Sequence, residues 1–474
     1  MGKALWIFLV LHVLVALALS ADLLFRRKEP VATLAWLEGL LFIPVLGALL
    51  YVVFGAETIQ RRKYRKRTQV IRAFEGSLRG HVICCPAGDL PPQAAEALKI
   101  AISCSRRPPT LGNALRLFPN VSALYDDLER AIGEARRHIH FQFYILQPDE
   151  TGRRFIHLLA AKAAAGVEVR LLLDAVGSRR LRAADLGELI QAGGSVGWFL
   201  PIRLAPPPFP AHLRNHRKIA ILDGTVGFIG GANIGDEYRG RWARKSSWHD
   251  THVRLEGPAV HHLQEVFVED WRFATGRSLL REDYFPPQKR VGDAIVHVIP
   301  SGPDDPTRAL SATLFHAIVT ARERVWIATP YFIPDAATLA ALTGSARRGV
   351  DVRLLLPERS DHPLVDRAGE SFLPELLEAG VKVFRYEAGM LHSKLVIVDG
   401  QWGVVGSANM DIRSFRLDFE VSLAVLSESW AHRLEEVFQA ELFQSHQYTR
   451  SHAAAAPLVR RLTIAACRTL APIL

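Results

Sequence analysis

Two short stretches of this 474-residue chain carry the same reactive side chains at the same spacing. The first holds His216, Lys218, Asp223 and Gly224; the second holds His392, Lys394, Asp399 and Gly400. The residues after each lysine, Ile219 to Leu222 and Leu395 to Val398, are apolar and strand-like. Residues i and i+2 of a strand face the same side, so each histidine projects with its lysine. Asp-Gly then signals a hairpin. The returning strand ends in Gly230-Gly231-Ala232-Asn233 or Gly406-Ser407-Ala408-Asn409, small residues that let a ligand approach the backbone.

If the two copies pack about a pseudo-twofold axis, two histidines, two lysines and two asparagines meet. That set suits phosphoryl chemistry. One neutral imidazole can attack phosphorus; the other can protonate the leaving alkoxide and then deprotonate the incoming hydroxyl. The lysines supply the positive charge that the transition state needs, so neither a metal nor another cofactor is required. The histidines must be held in opposite protonation states, hence in different environments. The candidate catalytic residues are His216, Lys218, Asp223, His392, Lys394 and Asp399. The candidate phosphate ligands are Lys218, Lys394, Asn233, Ser407 and Asn409. Asp223 and Asp399 either share in the chemistry or hold the turn.

The elements around these motifs must be repeated too. Residues 216–233 align with 392–409 at a constant offset of 176, with nine of 18 positions identical. Chance pairing would give about one. Leu263, Glu265, Val266 and Phe267 also resemble Leu434, Glu436, Val437 and Phe438. Each copy shows the same upstream order. Strands are expected at 138–146 and 167–173 around a helix at 153–165, and at 325–333 and 350–356 around a helix at 336–348. Alternation of this kind argues for α/β layers with a buried sheet. Pro206, Pro207, Pro208 and Pro210 mark a loop into the first copy. The Pro- and Gly-rich stretch 286–306 reads as the boundary between copies. The expected organisation is a hairpin at 1–60, a basic linker at 61–112, domains at 113–290 and 291–450, and an amphipathic tail at 451–474.

The first sixty residues differ in kind. Apolar runs at about 4–25 and 31–54 are each long enough to cross a hydrocarbon core of roughly 30 Å. A cleaved signal peptide would explain only the first. Glu38 lies in the first third of the second run, where it can reach the interface. Arg61, Arg62, Lys63, Arg65, Lys66 and Arg67 outweigh Arg26, Arg27 and Lys28 in the connection. That asymmetry places both ends of a two-helix transmembrane hairpin in the cytoplasm. The tail from Leu458, with Arg460, Arg461 and Arg468, has the spacing of an interfacial helix or of a helix packed on the second domain.

Composition narrows the field. Hydrophobic residues are 49% and charged residues 22%, which excludes a mostly disordered chain. Four cysteines without paired C-x-x-C spacing exclude a disulfide scaffold and argue against a cysteine-built zinc site. Adjacent Cys84 and Cys85 read as packing residues. A net charge of +10 suits an anionic partner, lipid or nucleic acid.

The doubled H-x-K-x4-D motif, each copy followed by G-[GS]-x-N, resembles the phospholipase D superfamily. Within it the chain is most similar to the bacterial cardiolipin synthases. That likeness is carried by Leu34-Ala35-Trp36, Thr110-Leu111-Gly112-Asn113, Arg214 to Lys218, Gly230 to Tyr238, Thr329 to Asp335 and Asn409 to Phe415. It implies two tandem phospholipase D-like α/β domains behind a membrane hairpin, in a bacterial inner membrane with the domains cytoplasmic. It implies transfer of a phosphatidyl group between two phosphatidylglycerol molecules, through His216 as nucleophile and His392 as acid/base. It also implies a carboxylate partner for each histidine, assigned as Asp250 to His216 and Glu420 to His392. His249 and Asp418, beside those carboxylates, depart from the usual Arg and Asn, which puts pH dependence or acceptor choice in doubt. Rival readings are a lipid hydrolase releasing phosphatidic acid, a transferase using phosphatidylethanolamine, a nuclease, and an inactive lipid-binding scaffold.

Overall fold

The computed structural model describes residues 2–25, 30–52, 85, 92–105, 107–201, 213–240, 248–305, 307–455 and 457–471. They fall into two compact units. The basic cluster at 61–67, the charged connection at 26–28, Cys84 and the proline-rich loop at 206–210 lie outside the described residues.

In the first unit, helix α1 (Gly2–Phe25) is the one described helix long and apolar enough to cross a membrane, with a mean hydropathy of 2.5. The second apolar run does not form the single span expected at 31–54. It breaks into α2 (Pro30–Phe42) and α3 (Leu46–Leu50). Pro44 cannot donate a backbone hydrogen bond, and Val45 takes a left-handed φ of 64°. The chain turns back there so sharply that a Cβ on Gly47 would sit 2.0 Å from the Gly39 carbonyl oxygen. At 1.5 Å per residue the 13 residues of α2 reach only about 20 Å, short of a hydrocarbon core. Polar groups of α1 find partners within this unit: the Tyr51 hydroxyl donates to Asp22 Oδ2 at 2.9 Å, and His12 Nε2 lies 3.4 Å from the Leu41 carbonyl. Glu38 is exposed on α2.

The second unit is built on one 15-stranded sheet. Its first half uses β1 (Thr110–Phe118), β2 (His138–Phe143), β3 (Glu168–Asp174), β4 (Ser195–Phe199), β5 (Ile219–Leu222) and β6 (Val226–Gly230). The two-residue β7 (Trp248–His249) stands apart, and β8 (His252–Glu256) completes the half. The second half uses β9 (Ala294–Ser301), β10 (Arg324–Ala328), β12 (Asp351–Pro357), β13 (Lys382–Tyr386), β15 (Leu395–Val398), β16 (Trp402–Gly406), β18 (Glu420–Leu426) and β19 (Ser445–Tyr448). Short strands β11 (Phe332–Ile333), β14 (Met390–Leu391) and β17 (Met410–Asp411) lie outside the main sheet. The order is β19-β13-β12-β10-β15-β16-β18-β9-β1-β8-β6-β5-β2-β3-β4. Read from the central β9–β1 pair, the strands of the two arms correspond from β18 with β8 out to β13 with β4, which is the expected pseudo-twofold duplication; β19 extends the second arm alone.

The upstream strands and helices fall close to where the sequence places them, with three differences. The strand expected at 138–146 ends at Phe143, leaving Leu146 in an isolated bridge to Ile234. The strand expected at 325–333 stops at Ala328 and resumes at Phe332, because Pro330 cannot supply a ladder hydrogen bond. The stretch 286–306 is no mere boundary: β9 lies inside it and joins the halves, pairing with both β1 and β18. Equivalent helices of the two copies also begin alike. Asp149 Oδ1 accepts from Gly152 N at 2.9 Å, and Asp335 Oδ1 accepts from Thr338 N at 2.9 Å. Such N-caps are worth about 1 kcal/mol each. Cys85 and Cys467 are buried packing residues.

Candidate active site

Each repeated motif folds as a hairpin, β5 into β6 and β15 into β16. Asp223 and Gly224 have φ values of 54° and 68°; Asp399 and Gly400 have 51° and 65°. Two consecutive left-handed residues make the turn that matches strand twist, which is why Asp-Gly stands there. The turn lies at the far end of the strand from the histidine and lysine. Asp223 accepts backbone hydrogen bonds from Arg136, Arg137 and His138 at 2.7 to 2.9 Å. Asp399 does the same with Arg322, Glu323 and Arg324 at 2.8 to 3.2 Å. Both therefore lock the hairpin to the neighbouring strand, and the catalytic reading of these aspartates is corrected to a positional one. Asp223→Ala is expected to lower the unfolding free energy by about 2–4 kcal/mol, since three amides lose a charged acceptor. Thermal unfolding would read the loss, and the remaining folded fraction should keep near-normal turnover.

At the other end, the two copies interlock. His216 N donates to the Phe419 carbonyl at 2.9 Å, and Phe419 N donates to the Arg214 carbonyl at 2.8 Å. Reciprocally, β14 pairs in parallel with β7, and His392 N donates to the His249 carbonyl at 2.6 Å. Each histidine thus lies against the other copy's carboxylate segment. His216 Nδ1 is 2.9 Å from Glu420 Oε1, and His392 Nδ1 is 2.6 Å from Asp250 Oδ2. The pairing inferred from resemblance, Asp250 with His216 and Glu420 with His392, is reversed. Order along the chain suggested partners within a copy, whereas strand exchange across the pseudo-twofold axis supplies them from the opposite one. A carboxylate at each Nδ1 favours the proton there and leaves Nε2 for chemistry, although at His392 Lys394 Nζ approaches the same nitrogen.

The two half-sites differ in their supports. Ser407 donates to Glu420 Oε2, and Ser414 donates to Oε1 at 3.0 Å. Ser407 therefore holds the carboxylate, which displaces its expected role toward phosphate. The equivalent of Ser407 in the first copy is Gly231, where a Cβ would come within 2.2 Å of Asp250 Oδ1. Asn233 is similarly engaged: its oxygen accepts from Ile145 N at 3.1 Å and its amide donates to the Tyr238 hydroxyl at 2.7 Å. Asn409 is different. Its side-chain oxygen is buried without a partner among the described residues, and the residue lines a cavity of about 20 Å³ together with Lys394.

Lys218 Nζ donates to the His216 carbonyl at 2.6 Å, and Lys394 Nζ lies 2.9 Å from His392 Nδ1. Burial moves Lys218 down to about 7 and Lys394 down to about 8, against the pull of the nearby carboxylates. Burial likewise raises Asp250 to about 6 and Glu420 to about 7. Both histidines are held well below the usual imidazole range, first by burial and then by the lysine beside each. The resting site is therefore two neutral imidazoles between partly neutralised lysines and carboxylates.

Other side chains complete the site without having been legible as part of it. The Tyr144 ring lies edge-on to His216 at 5.0 Å; Trp248 is 5.0 Å and Tyr331 is 6.4 Å from His392. The Tyr331 hydroxyl donates to Asp361 at 2.7 Å. Tyr144 and Tyr331 stand at neighbouring rather than identical places in the two copies, each a few residues before the helix-capping aspartate. Their offset differs from that of the motifs, so a constant-offset alignment passes over them. Arg217, between His216 and Lys218, is buried on Asp270 at 2.7 Å and donates to the Glu420 carbonyl at 2.9 Å. Of the two departures, Asp418 accepts from Arg214 N and Arg413 Nε, and burial raises its carboxyl to about 6. His249 lends its carbonyl to His392 and packs on Tyr386 at 5.2 Å. Among the described residues no cluster of three His, Cys, Asp or Glu is arranged to hold a metal ion.

The same two segments are the ones matched by a family described as cardiolipin synthase, PLD-like domain, at residues 128–271 and 314–442. A phospholipase D-nuclease N-terminal family matches residues 4–55. This chain belongs to the cardiolipin synthase family. It is 37% identical to a cardiolipin synthase of Geobacillus kaustophilus (strain HTA426), over 100% of this chain and 95% of the relative. It is 39% identical to cardiolipin synthase A of Pseudomonas aeruginosa (strain LESB58), over 96% of this chain and 93% of the relative. The fold also matches a phosphatidylserine synthase from Haemophilus influenzae Rd KW20. That match has a TM-score of 0.63 at 14% identity and covers 80% of this chain and 100% of the other.

Proposed function

We propose that the protein joins two phosphatidylglycerol molecules into cardiolipin and glycerol through a phosphohistidine. The crossed His–carboxylate pairs carry this reading, because they give two imidazoles with fixed tautomers beside two lysines and different carboxylates. Nε2 of His216 attacks phosphorus, a P–N bond forms, and the P–O bond to glycerol breaks. His392 gives its proton to the departing alkoxide. The anionic phosphodiester favours a protonated imidazole at that moment, offsetting the burial that keeps it neutral at rest. His392 then takes the proton from the hydroxyl of a second phosphatidylglycerol, whose oxygen replaces the nitrogen on phosphorus. A phosphodiester is exchanged for a phosphodiester, so no nucleotide is consumed. Lys218 and Lys394 supply positive charge to this chemistry, and Asn409, beside Lys394, contributes its amide N–H as a donor to phosphate oxygen.

Residues 2–52 anchor the enzyme to the membrane that contains its substrate, and the cluster at 61–67 favours the cytoplasmic side for the catalytic unit. The test supplies labelled phosphatidylglycerol in mixed micelles, with and without chelator, and quantifies lipid products and glycerol together. Equimolar cardiolipin and glycerol, indifferent to chelator, are expected. Phosphatidic acid as main product would make the enzyme a hydrolase and overturn the proposal.

A further inference from the structure

The C-terminal helix Leu458–Leu470 has two unlike faces. One is fastened to the catalytic unit. Arg460 donates to Glu370 at 2.9 Å, Arg468 donates to the Ser371 carbonyl at 3.2 Å, and Cys467 and Ala471 are buried in the core. The other face is open, with Leu458, Val459 and Leu462 exposed by 69%, 76% and 62%. At 100° per residue these three and Ala466 fall within an arc of about 100° that also holds Thr469, and Arg461 lies in the arc beside it. The helix contains three arginines and no acidic residue. A largely apolar stripe with Arg461 at its edge, on a helix without acidic residues, matches the boundary of an anionic bilayer, where apolar side chains enter the acyl region and an arginine meets phosphate.

Its location is specific. The helix packs on Pro363–Glu370, which begins two residues after Asp361. Asp361 holds the hydroxyl of Tyr331, whose ring faces His392. Leu364, in the first turn of that supporting helix, is itself 47% exposed. The open stripe is thus one helix away from the rim of the two-histidine site.

We propose that the Leu458, Val459, Leu462 stripe docks on the anionic lipid surface and holds that rim at the level of the headgroups. The proposal rests on the lipid reading of the site. It gives the catalytic unit a lipid contact of its own, in addition to residues 2–52. Fastening through Glu370 and Ser371 makes the contact rigid, so it orients the rim as well as tethering it.

The test uses the full chain in vesicles of phosphatidylglycerol and phosphatidylcholine. Leu462 is replaced by the photoreactive residue p-benzoylphenylalanine, and Glu436, exposed on the helix Glu428–Phe443, is replaced likewise as control. Irradiation is expected to give a lipid adduct at position 462 and none at 436. A cross-linked dimer or an adduct within the chain at position 462 would overturn the proposal in favour of a second copy or another segment as occupant. In parallel, Leu458→Glu with Leu462→Glu should raise the apparent KM for vesicle phosphatidylglycerol about tenfold. Turnover on a dispersed short-chain phosphatidylglycerol should stay within about twofold of the unsubstituted enzyme, which also shows that the variant folds. Unchanged vesicle kinetics would count against docking. The cross-link requires no turnover, so it is readable even if the donor lipid proves to be a different one.

Discussion

His216→Ala and His392→Ala are each expected to reduce phosphatidyl transfer by about 10⁴-fold or more, and to fail at different steps. A phosphatidyl ester of p-nitrophenol separates the steps, because its leaving group departs without a proton. With this substrate, His392→Ala should release one equivalent of nitrophenolate in a burst and retain the lipid on His216 as an acid-labile phosphoramidate. His216→Ala should give no burst and no covalent lipid. The opposite pattern would make His392 the nucleophile. The asymmetry on which the assignment leans is local: His216 faces Glu420, held by two serines, whereas His392 faces Asp250 and has Lys394 against the same nitrogen.

Glu420→Gln should abolish that burst, while Asp250→Asn should preserve it and slow the following turnover, each costing about 10²–10⁴ in rate. This follows from the crossed contacts, since removing a carboxylate releases the tautomer of the histidine it touches. Partners within a copy would reverse the two outcomes. The same groups set the pH profile. The carboxylates act when ionised, so kcat/KM should fall as pH drops through about 7 for Glu420 and about 6 for Asp250. The lysines act when charged, so it should fall again as pH rises through about 7 for Lys218 and about 8 for Lys394. The result is a narrow bell around neutrality. In Glu420→Gln the acid limb should move down toward Asp250's value, measured on the residual activity.

What the sequence reveals and what it hides divide along a physical line. His216 with Lys218, and His392 with Lys394, are visible because strand periodicity and repetition both act over a few residues. The Asp-Gly turns are visible for the same reason, although the carboxylates' grip on the next strand's amides is not, being formed with residues more than seventy positions away. The reversal of Asp250 and Glu420 was hidden because strand exchange has no local signature. Asn233 and Ser407 look like ligands from their place in the motif, yet each is claimed by a neighbour that only the fold brings near, Tyr238 and Ile145 for one and Glu420 for the other. In the amino-terminal unit, hydropathy registered Leu46 to Leu50 as a continuation of one span; Pro44 was the sign of a reversal and hydropathy does not weigh it.

The exchange of segments between copies also has a consequence in time. Glu420 follows His216 by 204 residues and His392 follows Asp250 by 142. At synthesis rates of about 5–20 residues per second, the first histidine waits roughly 10–40 s for its carboxylate to leave the ribosome. During that interval the amino-terminal half can fold its own arm of the sheet, but its imidazole has no anchor and its lysine has Asp250 without Glu420 to oppose it. A nascent chain, or one truncated before the second copy, is therefore expected to be inert toward lipid, with competence arriving in a single late step when the second arm docks.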